Sequence, residues 1–111
     1  MTSAAIITPE ETAAGADGAL LLDVRDLDEW LAGHIRHATH IPLIEVPHRL
    51  AELPRDRSII CICRSGNRSG QATVYLIEHG FQARNMVGGM KAWAAAGLAV
   101  ERLDGSAGLV I

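Results

Sequence analysis

The stretch Cys61-Ile62-Cys63-Arg64-Ser65-Gly66-Asn67-Arg68-Ser69-Gly70 holds both cysteines of the 111-residue sequence and sets two arginines beside them. A thiol with an ordinary pKa of about 8.5 is only slightly ionised at neutral pH, so a nucleophilic cysteine needs positive surroundings. Cys63 has several sources of them. Consecutive backbone N–H groups in a tight loop converge into an anion-binding nest, and a following helix adds the positive end of its dipole. Gly66 and Gly70 allow close backbone approach, and Arg64 and Arg68 bring forked donors suited to an oxyanion. The chemistry predicted is attack by a Cys63 thiolate whose charge the loop holds. A lone cysteine at a strand end is more simply buried packing, but two flanking arginines argue against an inert Cys63. Cys61 lies two residues upstream, on the same face of the strand and one step deeper, and reads as core packing. Its other reading is a resolving thiol, at the cost of a strained Cys-x-Cys disulfide.

The elements that must position this loop alternate between strands and helices. Residues 58–63, with β-branched isoleucines after a turn-like Pro-Arg-Asp-Arg, predict a strand. Residues 69–80 predict the helix that follows, with Gly80 where a C-cap belongs. Upstream, Thr8, Pro9 and Glu11 form a capping box that starts a short helix ending near Gly15. Residues 20–24 form a continuous apolar run, as in a strand covered on both faces. Asp26 and Glu29 repeat the capping pattern before a brief helix stopped at Gly33. Residues 40–42 predict another short strand, and Pro47 is expected to start a helix over 47–53. Residues 81–87 predict the last strand, residues 88–97 the last helix, and 103–111 a loosely ordered tail. Such alternation predicts an α/β fold with a mostly parallel sheet between helices. Ligands then bind outside the carboxyl ends of strands, where residues 63–69 fall.

The whole chain bounds the possibilities. Its length suits one domain spanning residues 1–111, and 49% hydrophobic residues support a real core. Two cysteines one residue apart make no disulfide framework and no zinc-spaced set, so free thiols in a reducing compartment are expected. The N-terminal residues show neither a basic region nor an apolar signal core, and no apolar stretch approaches the ~20 residues of a membrane span. A cytoplasmic protein without a membrane partner is expected. The net charge of −3 argues against nucleic acid as a partner. His34, His37, His40 and His48 follow no usual ligand spacing, so they read as surface or packing histidines and no metal is expected. Trp30 and Trp93 read as core residues on helix faces.

These motifs, taken in order, resemble the rhodanese family of sulfurtransferases over nearly the whole chain. Residues 21–35 are similar to its Asp-Val-Arg and Glu-aromatic-x-x-Gly-His-Ile signature, His40-Ile41-Pro42 to its Asn-Ile-Pro segment, 63–69 to its active-site loop, and 88–100 to its Gly-Gly-x-x-Ala-Trp element. Arg36, His37 and Ala38 stand where the family often has Pro-Gly-Ala; His40 replaces a common Asn and Ala99 a common Pro. The resemblance implies a rhodanese-like five-stranded parallel sheet with helices on both faces and a Cys63 that carries sulfur as a persulfide. The donor would be thiosulfate or another persulfide donor and the acceptor cyanide or a thiol, a protein acceptor among them, with no metal or organic cofactor. Arg64 and Arg68 would bind the donor. Ser65, Gly66, Asn67 and Ser69 would contribute mainly backbone N–H groups, with Ser69 capping the next helix. Asp23 and Arg25 would brace the loop, pair with Glu29 or contact substrate, and Glu29 would start its helix or pair with a cation. Two rivals stand beside this reading. One is a relay or docking module fed by another protein. The other is a cysteine phosphatase or arsenate reductase, whose loops read Cys-x5-Arg; here only four residues separate Cys63 from Arg68.

Overall fold

The computed structural model describes residues 5–111; the first four residues of the stretch searched for a leader lie outside it. Five parallel strands form one sheet: β1 (Ile6–Ile7), β2 (Leu20–Asp23), β3 (Thr39–His40), β4 (Ile59–Ile62) and β5 (Ala83–Met86), in the order β1-β5-β4-β2-β3. The helices are α1 (Pro9–Ala13), α2 (Leu27–Ala32), α3 (Asn67–Glu78) and α4 (Gly89–Ala95). Strand β4 is central, in register with β2 through Leu22↔Cys61 and with β5 through Cys61↔Asn85.

The period of two along β4 divides the core. Ile59, Cys61 and Cys63 enter one apolar cluster with Leu22, Ala72 and Leu76, so they pack against α3. Ile60 and Ile62 enter the other with Met86, Met90 and Trp93 of β5 and α4. All four residues of β4 are fully buried, and each isoleucine contributes roughly 1.5–3 kcal/mol to holding the strand between its two layers. Helices on both faces follow from that two-sided burial.

Several expectations from the sequence change. The fifth strand, β1, has only two residues and pairs with β5 through Ile6↔Asn85. The expected helix over 47–53 is instead two 3-10 turns, Leu43–His48 and Leu50–Glu52, with Pro47 inside the first. Arg49, with φ of −128° and ψ of 22°, leaves the helical path and separates them. The tail expected to be loose is tied down: Leu109 N–H donates to Ala32 O at 2.9 Å, Gly108 N–H to Val100 O at 2.8 Å, and Val110 packs against the α4-side core. Gly33 permits this crossing, because a Cβ there would stand 2.6 Å from Val100 Cγ1 and 2.7 Å from Leu109 N. Trp30 leaves the core; it stacks on His34 with centroids 3.7 Å apart and on His40 at 5.0 Å. Trp93 is buried and donates its indole N–H to Ala99 O at 2.8 Å.

His37 has φ of +68°, a left-handed conformation at the position where the resembled family often has glycine. A side chain there costs on the order of 1 kcal/mol, partly offset by the larger unfolded-state entropy of glycine. His37→Gly is therefore expected to raise the unfolding free energy by up to about 1 kcal/mol, read as a slightly higher urea midpoint. A loss of stability would show that the imidazole makes a compensating contact.

Candidate active site

Cys63 closes β4 at its carboxyl end, and the chain turns through Arg64, Ser65 and Gly66 into α3. Gly66 sits at the N-cap with φ of +109°, so the helix starts at Asn67, two residues before the expected Ser69. Ser69 therefore lies within the first turn and is not the cap. Its fully buried side chain faces the thiol instead, with Oγ 3.1 Å from Cys63 Sγ. Gly66 N–H donates to the same sulfur at 3.0 Å. Burial by itself pushes the Cys63 pKa up. The Ser69 hydroxyl and the backbone N–H groups of Ser69, Gly66 and Ser65 outweigh it, and the net result is below the ordinary thiol value. Cys61, deep in the same cluster, is pushed up to about 12 by burial, so it stays a thiol at neutral pH.

The loop is held from outside by α4. Met90 N–H donates to Cys63 O at 2.8 Å and Lys91 N–H to Arg64 O at 3.0 Å. Gly89, at φ of +59°, allows this approach, since a Cβ there would meet Cys63 O and stand 2.6 Å from both Arg64 C and Arg64 O. Gly89→Ala is expected to cost about 2–4 kcal/mol, from left-handed strain plus displaced loop backbone. Chemical unfolding checks it; a cost under ~1 kcal/mol would mean that α4 shifts without the loop.

The two arginines part company. Arg68 is half-buried and forks onto Glu29, Nη1 to Oε1 at 2.7 Å and Nη2 to Oε2 at 2.9 Å. That pair drives the Glu29 pKa down and the Arg68 pKa further up. Glu29 Oε1 also accepts the Asp26 N–H at 3.0 Å, tying the start of α2 to the loop. Arg64 is exposed and donates Nε to Ile111 O at 2.9 Å, with no Asp or Glu side chain paired to it among the described residues. Ser65 and Asn67 are exposed at the rim.

Asp23 and Arg25 pair with each other, not with Glu29. Arg25 Nε is 2.9 Å from Asp23 Oδ1, and Nη2 is 2.8 Å from both Asp23 Oδ2 and Gly33 O. Both side chains are at most 1% exposed. His34 is buried with Nδ1 2.8 Å from Trp30 O, His40 has Nε2 2.7 Å from Arg25 O, and His37 and His48 are exposed. The site thus gathers Cys63, Ser65, Gly66 and Ser69 around one sulfur and braces them with Arg68 and Glu29. A groove of about 640 Å³ lies elsewhere, lined by Asp56, Arg57, Ser58 and Arg84 at the amino ends of β4 and β5.

Sequence reasoning missed Asn85. It stands on β5 beside the loop, donates Nδ2 to Gly66 O at 3.0 Å, and has Oδ1 2.6 Å from Ser69 Oγ. A signal was present, because Arg84 and Asn85 are adjacent polar residues in a strand otherwise read as buried.

Comparison with known proteins places the chain in a family. The rhodanese-like domain model matches residues 8–96. A sulfurtransferase of Allochromatium vinosum is 39% identical over 93 residues, covering 83% of this chain and 87% of that protein. Thiosulfate sulfurtransferase GlpE of Pseudomonas entomophila is 35% identical, covering 78% and 82%. The crystal structure of a rhodanese-related protein from Thermoplasma volcanium superposes with a TM-score of 0.82 at 29% identity, covering 86% of this chain and 95% of that one. With a domain match over most of its length and sulfurtransferases among its relatives, the chain belongs to the rhodanese-like family.

Proposed function

We propose that the protein is a sulfurtransferase that moves sulfane sulfur from thiosulfate, or another persulfide donor, to cyanide or a thiol through a Cys63 persulfide. The observation that carries this reading is the cradle around Sγ, in which Gly66 N–H and the Ser69 hydroxyl lie 3.0 and 3.1 Å from a thiol held below its ordinary pKa. In the loading step the Cys63 thiolate attacks the outer sulfur of thiosulfate. The new S–S bond forms as the old one breaks, and its electron pair leaves with sulfite. The negative charge then sits on the outer sulfur of Cys63–S–S⁻, where loop N–H groups can hold it. Cyanide attacks that outer sulfur, thiocyanate departs, and the thiolate returns. A thiol acceptor, free or on a protein, takes the sulfur in the same way.

Arg64, exposed beside Cys63 with only its Nε engaged by Ile111, is the cation we assign to drawing in the dianionic donor. Arg68, with both terminal nitrogens on Glu29, serves to hold the loop. This division favours sulfur over phosphate as cargo, since the fork that a phosphatase loop would offer to an oxyanion is occupied. We place the activity in the cytoplasm, where both thiols stay reduced; among the described residues no helix is long and apolar enough to cross a membrane.

Incubation of the purified protein with thiosulfate is expected to add one sulfur, ~32 Da, mapped to the peptide bearing Cys63 and removed by cyanide with stoichiometric thiocyanate. No mass gain, with active donor, or a gain confined to Cys61, would sink the assignment.

A further inference from the structure

Ser69 Oγ has one proton and two acceptors within reach: Cys63 Sγ at 3.1 Å and Asn85 Oδ1 at 2.6 Å. A carboxamide oxygen and a thiolate both only accept, so the hydroxyl serves one of them at a time. The Asn85 amide is not free to turn over and become a donor. Its Nδ2 is committed to Gly66 O, an oxygen that also accepts the Gly70 N–H at 3.0 Å, and a flip would set two carbonyl oxygens against each other.

We propose that Asn85 is a positioning residue that competes with Cys63 for the Ser69 hydroxyl proton, so that this hydroxyl points to Asn85 when Sγ is neutral and to Sγ when it is a thiolate. The reading rests on the sulfur-transfer assignment for its cycle, though not for its test. In the thiol state the Cys63 S–H donates to Ser69 Oγ, and the Ser69 O–H donates to Asn85 Oδ1. In the thiolate state the O–H turns to Sγ. In the persulfide the charge has moved to the outer sulfur, Sγ becomes a poor acceptor, and the O–H returns to Asn85. No proton leaves Ser69 at any stage. Asn85 thus gives the neutral-Sγ states a partner that the hydroxyl would otherwise lack, and it keeps the thiolate from being stabilised so far that sulfur loading becomes unfavourable. Of the cations near this exchange, Arg68, which senses the Cys63 charge, lies on Glu29 and Arg25 lies on Asp23, while Arg64 is exposed to solvent with its Nε on Ile111 O. Cys61, on the same strand, stays protonated.

The test is the pH dependence of Cys63 alkylation by iodoacetamide, which needs no sulfur donor. Its outcome is therefore independent of whether thiosulfate loads the protein, and failure of the mass test above leaves this one standing. Removing the competing acceptor in Asn85→Leu, with Asn85→Ala as a second replacement, is expected to lower the Cys63 pKa by about 0.5–1 unit. Ser69→Ala is expected to raise it. In the Ser69→Ala background, adding Asn85→Leu should leave the pKa within about 0.2 unit, because the shared hydroxyl is gone. A residue that merely steadied the loop would do the opposite: its loss would slacken the cradle and raise the pKa. A raised or unchanged pKa in both folded Asn85 variants, or an equal shift with and without Ser69, overturns the proposal.

Discussion

Cys63→Ser is expected to abolish sulfur transfer while leaving the fold in place, with thiosulfate:cyanide activity falling on the order of a thousandfold or more. The loss follows from ionisation and from bonding. Serine keeps the hydrogen bonds of the cradle, but the same donors that hold a thiol below its ordinary value cannot bring an alcohol near neutral pH. An alcohol also cannot form the persulfide. The fold should tolerate the change, because Gly66 N–H and the Ser69 hydroxyl remain to satisfy the new oxygen. The control is Cys61→Ser, which should retain most activity, since Cys61 stays protonated and buried in the α3-side core. Undiminished turnover in Cys63→Ser would reject Cys63 as the carrier. Loss of turnover in folded Cys61→Ser would make Cys61 a participant. For the wild type, the rate of sulfur loading should rise with pH and level off below the ordinary thiol range, because the lowered pKa completes ionisation early.

Asp23→Ala is expected to be the most damaging single change to stability, at about 3–5 kcal/mol by urea unfolding. Asp23 is the only carboxylate on Arg25 among the described residues, both side chains are excluded from water, and Arg25 Nη1 already has no hydrogen-bond partner. Removing the carboxylate leaves a full charge inside the protein with only Gly33 O to answer it. The effect should spread to the site, because Arg25 leads directly into α2, whose Glu29 holds Arg68. A double change to apolar residues, Asp23→Leu with Arg25→Met, is expected to recover much of the loss by removing the stranded charge. A cost below ~1 kcal/mol for Asp23→Ala would mean that water reaches Arg25.

How much of this could be read in the sequence depended on how far each signal stood above its background. Strand β4 and the loop after it were legible because an apolar run ends abruptly in a polar, glycine-bearing turn, and that contrast also located Cys63. The tail and β1 were not legible. Ile6–Ile7 is too short to show a period, and Gly108 and Leu109 are held by a crossing over Gly33 that lies more than seventy residues away in the chain. Ser69 was misread because serine beside a helix start usually caps it. Here Gly66 took the cap, and the serine, three residues further in, became a hydrogen-bond partner of the thiol. The separate fates of Arg64 and Arg68 had no local signal at all, since what distinguishes them is which element lies opposite.

The two hydrogen bonds from α4 to the loop carbonyls reach beyond fastening. A peptide group is planar, so anchoring its oxygen on one side fixes the aim of the N–H on the other. Lys91 holds Arg64 O, and the N–H of that same peptide belongs to Ser65, one of the donors that steady the sulfur's charge. A helix whose two hydrogen bonds go to loop backbone thus works as the far arm of a lever. Because its grip is on backbone, it would hold the loop in the same way through each sulfur species of the proposed cycle.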